Sequence, residues 1–269
     1  MADRVQTGSS TLLHASELAR TLRLRNAPNG VRYTSFGETK VADVDLDRII
    51  QAVPATVAPA LADRAFYFVP LALAEDRNNS RAGTDPLRPD SSRTLISPIF
   101  TSDLSDEAIC HRNVTLPAST ATPAHEGVFI SARLLHDNFA LAFEFFINVG
   151  HAFAASAGIP EPFSALVWTQ ATADVRGETS QDAWESRTEA LAKRPVFDEK
   201  ARGEFYESAF ADALAIYQLS LAVDFDYSEL REREYPLLAP AALADRLRLI
   251  ARLFPPNPGY EFSIRYRRR

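Results

Sequence analysis

Residues 139–157, FALAFEFFINVGHAFAASA, form the most apolar long stretch of the 269-residue chain, and the rest of the sequence is interpreted outward from them. Asp137 or Asn138 precedes the stretch as an N-cap, and Gly158 with Pro160 behind it ends the pattern. The spacing therefore predicts one helix. Because polar residues interrupt the apolar run, we expect a buried core helix rather than a membrane span.

Three polar side chains lie on one face of this predicted helix. Glu144, Asn148 and His151 are spaced by four and three residues, so they align at 100° per residue. A buried polar group without a partner costs roughly 1–3 kcal/mol. These side chains therefore line either a hydrogen-bonded core network or a functional pocket.

Strand patterns lie mostly before this helix and helix patterns mostly after it, which predicts the α+β class. The predicted strands cover residues 31–36, 65–73, 94–100, 108–116, 127–134 and 260–266. The other predicted helices cover residues 14–25, 43–61 with interruptions at Pro54 and Pro59, 161–173, 180–193, 198–223 and 240–253. A polar stretch at 75–92 is expected to be a surface loop. We expect residues 1–30 to form a partly disordered N-terminal appendage and 31–269 to form a single domain.

Composition and charge exclude several classes of function. Lys and Arg number 29 and Asp and Glu number 35, a net charge of −6, so we expect no nucleic-acid partner and no membrane partner. The basic tail 265–269 is expected to be solvated. One cysteine, Cys110, excludes a disulfide framework and a Cys-rich zinc module. The first residues lack a secretory signal pattern, so a cytoplasmic location is expected, with non-classical export left open.

The common nucleotide and nucleophile motifs are missing from the sequence. Neither GxGxxG, GxxxxGK[ST] nor GxSxG occurs. Cys110 and His111 are adjacent on a predicted strand and point to opposite faces, so they are not expected to form a catalytic pair. The charged stretch 174–187 is expected to be a solvated face with local ion pairs. Carboxylate–histidine sites remain.

Three stretches together resemble the core of zincin metallopeptidases, in particular the catalytic domain of anthrax lethal factor and the Pro-Pro endopeptidases. They are GVFIS at 127–131, GHAF at 150–153 and EFYESAFA at 204–211. In that family a helix carries HExxH and a second helix supplies a carboxylate ligand. The resemblance implies a twisted, mostly N-terminal sheet, an active-site-type helix at 139–157, a helical C-terminal half, and a zincin-like domain over 31–269.

The zinc-binding motif is degenerate under this resemblance. Ile147 stands where the first histidine ligand belongs, and Asn148 stands where the general base belongs. Isoleucine cannot ligate a metal and asparagine cannot take a proton. Only His151 and Glu204 keep metal-ligand positions. Zinc is therefore possible but not expected, and no cofactor is assigned.

Two supporting positions also depart from the family pattern. Phe197 occupies the place of the oxyanion-binding tyrosine and has no hydroxyl, and Ser208 occupies the place of a carboxylate that supports the ligands. An active zinc peptidase is accordingly not expected, although the question of enzyme activity stays open.

The resemblance therefore predicts a catalytically degenerate protein that binds a peptide, a protein or a small molecule in the former active-site groove. The candidate ligand-binding residues are Asn148, His151, Glu204 and Tyr206.

Two alternatives remain open for the same residues. A non-peptidase enzyme would use Glu144, Asn148, His151 and Glu204 as acid–base groups or polar anchors. A metal-dependent hydrolase would use relocated ligands. The candidates for relocation are Glu207, if the second helix is rotated by one turn, and the loop or strand residues His111 and His125. His136 lies about 22 Å from His151 along a continuous helix, which is too far to share a metal.

Overall fold

The computed structural model describes residues 12–38, 42–74, 94–118, 123–132, 138–226, 230 and 235–264. The chain forms two compact units. The first comprises Met1–Ala27, Arg32–Ala42 and Asp63–Asp137, and the second comprises Pro28–Val31, Asp43–Ala62 and Asn138–Arg269. Sheets fill the first unit and helices the second, which confirms the α+β class. The boundary at residue 30 stays a prediction, and the disorder expected before residue 12 falls outside the described residues.

In the described part of the first unit, nine strands form two sheets. The strands are β1 Leu13–His14, β2 Arg25–Asn26, β3 Arg32–Ser35, β4 Arg64–Val69, β5 Leu71–Ala74, β6 Thr94–Ser97, β7 Ala108–Ile109, β8 His111–Leu116 and β9 His125–Ser131. One sheet has the order β2-β3-β4-β9-β8, and β4 runs parallel to both of its neighbours. The other has the order β1-β6-β5-β7 and is antiparallel. Two short helices, α1 Ala15–Thr21 and α3 Ser102–Ser105, complete the unit.

Pro70 separates β4 from β5 where the sequence predicts one strand over 65–73. Proline has no N–H to donate to a ladder, so the strand ends there and the chain passes from the five-stranded to the four-stranded sheet. On one face of the longer sheet, Tyr67 stacks on its register partner Phe129 with ring centroids 4.6 Å apart. Buried aliphatic side chains from both sheets and from α1 surround this pair.

The second unit is helical. Among its described residues, the helices with defined bounds are α2 Asp43–Gln51, a 3-10 helix Ala58–Leu61, α4 Asn138–Ala157, α5 Glu161–Thr172, α6 Gln181–Leu191, α7 Glu199–Ala222 and α8 Pro240–Leu253. The central helix is α7, which packs on α4, α5, α6 and α8. Asp198 caps it, because the side-chain Oδ1 accepts hydrogen bonds from the backbone N–H groups of Lys200 and Ala201.

Helix α4 has the length and composition of a membrane span, and half of its most apolar window is buried inside the protein. Its neighbours within the second unit are α7 and the 3-10 helix. Burial against other helices is the arrangement predicted for a core helix.

The interruption predicted at Pro54 within 43–61 is confirmed, because Pro54 lies in the turn between α2 and the 3-10 helix, whereas Pro59 lies inside the 3-10 helix. The closing strand predicted over 260–266 is wrong for residues 260–264, which form no ladder. The remaining residues of that strand, and the predicted loop at 75–92, lie outside the described residues.

Candidate functional site

Helices α4 and α7 run antiparallel and approach very closely at one point. The rings of Phe139 and Phe225 meet at one end of the contact, with centroids 5.6 Å apart, and Phe153 and Phe210 meet further along at 5.6 Å. Between them, a Cβ added to Gly150 would lie 2.6 Å from the carbonyl oxygen of Ala211. Only glycine at position 150 permits this approach, and it brings the next residue, His151, against α7.

His151 faces Glu207 across this crossing. The His151 Nδ1 and Glu207 Oε1 atoms are 3.9 Å apart, and the two side chains are 46% and 53% exposed. Glu204, the carboxylate that the family resemblance assigned to the site, makes its ion pair with Lys200 at 3.3 Å on the same helix. Glu204 precedes Glu207 by three residues, so it lies about one turn, or roughly 4.5 Å, nearer the start of α7. The structure therefore places His151 beside Glu207 and not beside Glu204.

Asn148 and Glu144 are joined to each other, as their shared face predicts. Asn148 is 9% exposed, and its Nδ2 donates to the backbone oxygen of Glu144 at 2.9 Å and to the Glu144 Oε1 at 3.4 Å. The Asn148 side-chain NH₂ group therefore finds its hydrogen-bond acceptors within α4. Ile147, which the family resemblance places where a histidine ligand would be, is half-buried.

Tyr206 belongs to a separate cluster of aromatic rings around Arg202. Trp168 packs edge to face against Phe197 at 5.0 Å and against Tyr206 at 6.0 Å, and the Arg202 guanidinium lies 5.3 Å from the centre of the Trp168 ring. Burial raises the pKa of Tyr206, and the nearby Arg202 charge partly offsets this. Phe197, which the family resemblance aligns with an oxyanion-binding tyrosine, packs against Trp168 in this structure.

The remaining histidine candidates have other surroundings. In the first unit, His125 Nε2 lies 3.2 Å from the Tyr67 hydroxyl, and its Nδ1 lies 3.0 Å from the carbonyl oxygen of Pro123. His111 opens the edge strand β8. His136 falls outside the described residues. Within the described parts of the chain, no group of three or more His, Cys, Asp or Glu side chains is arranged to hold a metal ion.

The second unit contains a buried network of ion pairs that the sequence did not predict. Glu178 is fully buried and accepts hydrogen bonds from Arg246 at 2.8 Å and from Arg187 at 3.0 Å. Arg246 Nε also donates to Gln170 at 2.7 Å. The expectation that 174–187 is a solvated face is therefore wrong for Glu178 and Arg187, because charge alone does not reveal a partner 68 residues away on α8.

Asp212 is a second buried carboxylate that the sequence analysis did not single out. Its Oδ2 accepts a hydrogen bond from the Thr179 hydroxyl at 2.7 Å, just before α6 begins. Burial raises the pKa of Asp212 to about 6, opposed by hydrogen bonds from Ser180 and Thr179. The available signal was an acidic residue within the apolar run ADALAIY at 211–217.

No family model matches its sequence, and no curated protein is similar to it at a significant level.

Proposed function

We propose that the chain is a degenerate zincin-like protein that binds a peptide at the α4–α7 crossing without cleaving it. The observation that carries the proposal is the exposed pair of His151 and Glu207 beside the close contact at Gly150. The family resemblance supplies the expectation that such a crossing once held a metal. Its peptidase chemistry is opposed by the residues at the two neighbouring positions, Ile147 and Asn148.

The chemical argument rests on what zinc hydrolysis needs. Two imidazoles four residues apart hold the ion, a carboxylate beside the first takes a proton from the bound water, and a third ligand completes the site. Ile147 offers no ligand atom, and the Asn148 amide cannot act as a base. His151 and Glu207 supply only two ligand side chains, from two different helices, and a catalytic zinc site needs three.

The same pair is well suited to hydrogen-bond a peptide. Both side chains are half exposed. The imidazole can donate a hydrogen bond to a peptide or accept one from it, and the carboxylate can accept one from a peptide N–H group. Extended peptides bind through such main-chain contacts together with pockets for side chains. The expected cytoplasmic location belongs to the same proposal and implies an intracellular peptide or protein partner.

The experiment is selection from a displayed library of random 12-residue peptides, followed by measurement of the selected peptides on purified protein. His151→Ala and Glu207→Ala are expected to weaken binding about tenfold each, since each removes one polar contact of typical strength. Glu204→Ala is the matched control one turn away and is expected to bind like the natural chain.

Three results would overturn the proposal. Cleavage of the selected peptides, seen by mass spectrometry, would indicate an active peptidase. Stoichiometric zinc in the purified protein would indicate a metal hydrolase with relocated ligands. Equal binding by all three variants would place the peptide elsewhere.

A second candidate, a non-peptidase enzyme, is favoured by one observation. An imidazole beside a carboxylate is the arrangement of a general base and its orienting group, and His151 with Glu207 has that composition. This candidate predicts turnover of an activated ester such as p-nitrophenyl acetate above the background of His151→Ala. Equal rates for the two proteins would leave the binding function.

A further inference from the structure

Helix α7 carries a glutamine inside an apolar run. Gln218 lies within LAIYQLSLA at 214–222 and is 0% exposed. Its side-chain NH₂ group offers two donors and its oxygen two lone pairs, yet neither atom has a hydrogen-bond partner in the described part of the protein. The other buried side-chain atoms in this state there are single oxygens, those of Thr94, Thr101 and Gln181. Among the described residues, only Gln218 has a buried amide without a partner at either end.

Gln218 faces α4. It follows Ala211 by seven residues, and seven residues at 100° each bring a helical side chain to within about 20° of the same direction. Ala211 contacts Gly150 of α4, and Phe225, just beyond the end of α7, meets Phe139 near the start of α4. Gln218 therefore lies midway between two contacts of α7 with α4.

The facing part of α4 has no polar side chain to offer. Between residues 139 and 149 only Glu144 and Asn148 are polar, and they are hydrogen-bonded to each other. At 100° per residue they lie about 120° and 160° around the helix from Gly150, on the side away from α7. The polar atoms that remain are main-chain oxygens of α4, each of which accepts one bond within the helix and keeps a second lone pair.

An amide in this position is unfavourable by itself, because it gives up its bonds to solvent on folding and gains none from the protein. In native proteins such a group is met by ordered water, which needs roughly two to four polar partners. Small side chains leave room for it here. Ala215 and Ala222 are buried on the same face of α7, about one turn before and one turn after Gln218.

We propose that Gln218 binds internal water between α7 and α4. At one end of the amide, water accepts a hydrogen bond from the Nε2 group, and at the other end it donates one to Oε1. The remaining water donors reach main-chain oxygens of α4, so the site links the two helices between their two direct contacts. The site is independent of His151 and of the proposed peptide function.

NMR spectroscopy on protein with ¹⁵N-labelled glutamine side chains tests the site directly. The NH₂ signal of Gln218, assigned from the backbone signals of α7, is expected to show a cross-peak at the water frequency. Its sign should differ between laboratory-frame and rotating-frame spectra, which distinguishes a bound water from proton exchange. Gln170 is the matched control, because its buried amide is bonded to Ala242 and Arg246, and no such cross-peak is expected there.

Two results of this measurement would overturn the proposal. The first is the absence of the water cross-peak at Gln218. The second is an NH₂ signal shifted strongly upfield, which would show that the amide donates to the face of an aromatic ring of α4 instead of to water.

A second measurement counts internal water without using the glutamine signal. Gln218→Met keeps an unbranched side chain of similar length and removes both polar atoms. It is expected to lower the amplitude of ¹⁷O water relaxation dispersion by the contribution of at least one long-lived water. Leu219→Met, a volume-conserving change at the next buried residue, is expected to leave that amplitude unchanged. Equal amplitudes for Gln218→Met and the natural chain would overturn the proposal, and if Gln218→Met failed to fold, the cross-peak of the natural chain would decide.

Discussion

The contact between α4 and α7 makes a sharp prediction about two glycines in the same unit. Gly150 and Gly203 are both inside helices, so replacement by alanine gives each helix the same intrinsic gain, about 1 kcal/mol. Their surroundings differ completely. A Cβ at position 203 would meet nothing within 4 Å, whereas a Cβ at position 150 would lie 2.6 Å from the Ala211 oxygen and 2.8 Å from its Cα.

The size of the effect follows from that overlap. An ordinary van der Waals contact of a Cβ atom begins at 3.4 Å, so Gly150→Ala requires α4 and α7 to separate by about 0.8 Å. The obstructing atoms are backbone atoms, and no side-chain rotation relieves the contact. Overpacking of this kind costs about 1–3 kcal/mol. Because the helix gain is common to both variants, the difference in their stabilities measures the cost of the contact alone.

Urea unfolding followed by circular dichroism is the assay. Gly203→Ala is expected to raise the free energy of unfolding by about 1 kcal/mol. The free energy of unfolding of Gly150→Ala is expected to be about 1–3 kcal/mol lower than that of Gly203→Ala. In thermal unfolding this separation corresponds to roughly 2–12 °C. If Gly150→Ala were as stable as Gly203→Ala, the two helices would not meet at position 150, and the pairing of His151 with Glu207 would lose its structural basis.

Three further predictions concern the buried charges and the cap of α7. Burial raises the pKa of Asp212 from 3.8 to about 6, so the folded state holds this proton more tightly than the unfolded state. Stability is therefore expected to fall by up to about 3 kcal/mol as the pH rises from about 4 to about 6, and Asp212→Asn is expected to remove this slope in urea titrations across that range. Glu178→Gln is expected to cost about 3–5 kcal/mol, because it leaves buried arginines without their counter-charge. The exposed ion pair of Asp245 with Arg248 is the control, since Asp245→Asn is expected to lower the free energy of unfolding by less than about 1 kcal/mol in the same measurement. Asp198→Ala is expected to cost about 1 kcal/mol by removing two cap hydrogen bonds, and thermal unfolding would contradict this if the midpoint did not fall.

The helices of the second unit were predictable because their signals are local. The predicted helix 240–253 has the bounds of α8, and α7 lies within one residue at each end of the predicted 198–223. Asp198 is a cap that the sequence itself displays, and Pro240 begins a helix at the first-turn position that proline tolerates. Periodicity and capping depend only on neighbours within one or two turns.

The parts that the sequence could not provide depend on distant partners. Residues 260–264 alternate like a strand, yet Tyr260 is held through its hydroxyl by a backbone oxygen 212 residues away. Glu178 and Arg246 are charged residues typical of a surface, and only the fold shows that they neutralise each other inside. For such residues the decisive information is the position of the partner.

The candidate site shows the same limit at the scale of one helical turn. The sequence identifies His151 and a carboxylate on a second helix, but Glu204 and Glu207 are both available to it. The register of α4 on α7 selects Glu207, and Gly150 determines that register through its contact with Ala211. One turn of uncertainty in helix packing therefore changes which residues form the site.

The exposure of this pair also limits the size of its ligand. Two half-exposed polar groups together contribute on the order of 1–3 kcal/mol. Micromolar binding needs about 8 kcal/mol, so at least 5 kcal/mol must come from apolar burial, or roughly 200 Å² at 25 cal/mol per Å², before the entropy of association is counted. A small polar molecule cannot supply that area at an exposed helix crossing, whereas a peptide can. The affinity for peptides at His151 should therefore increase with peptide length.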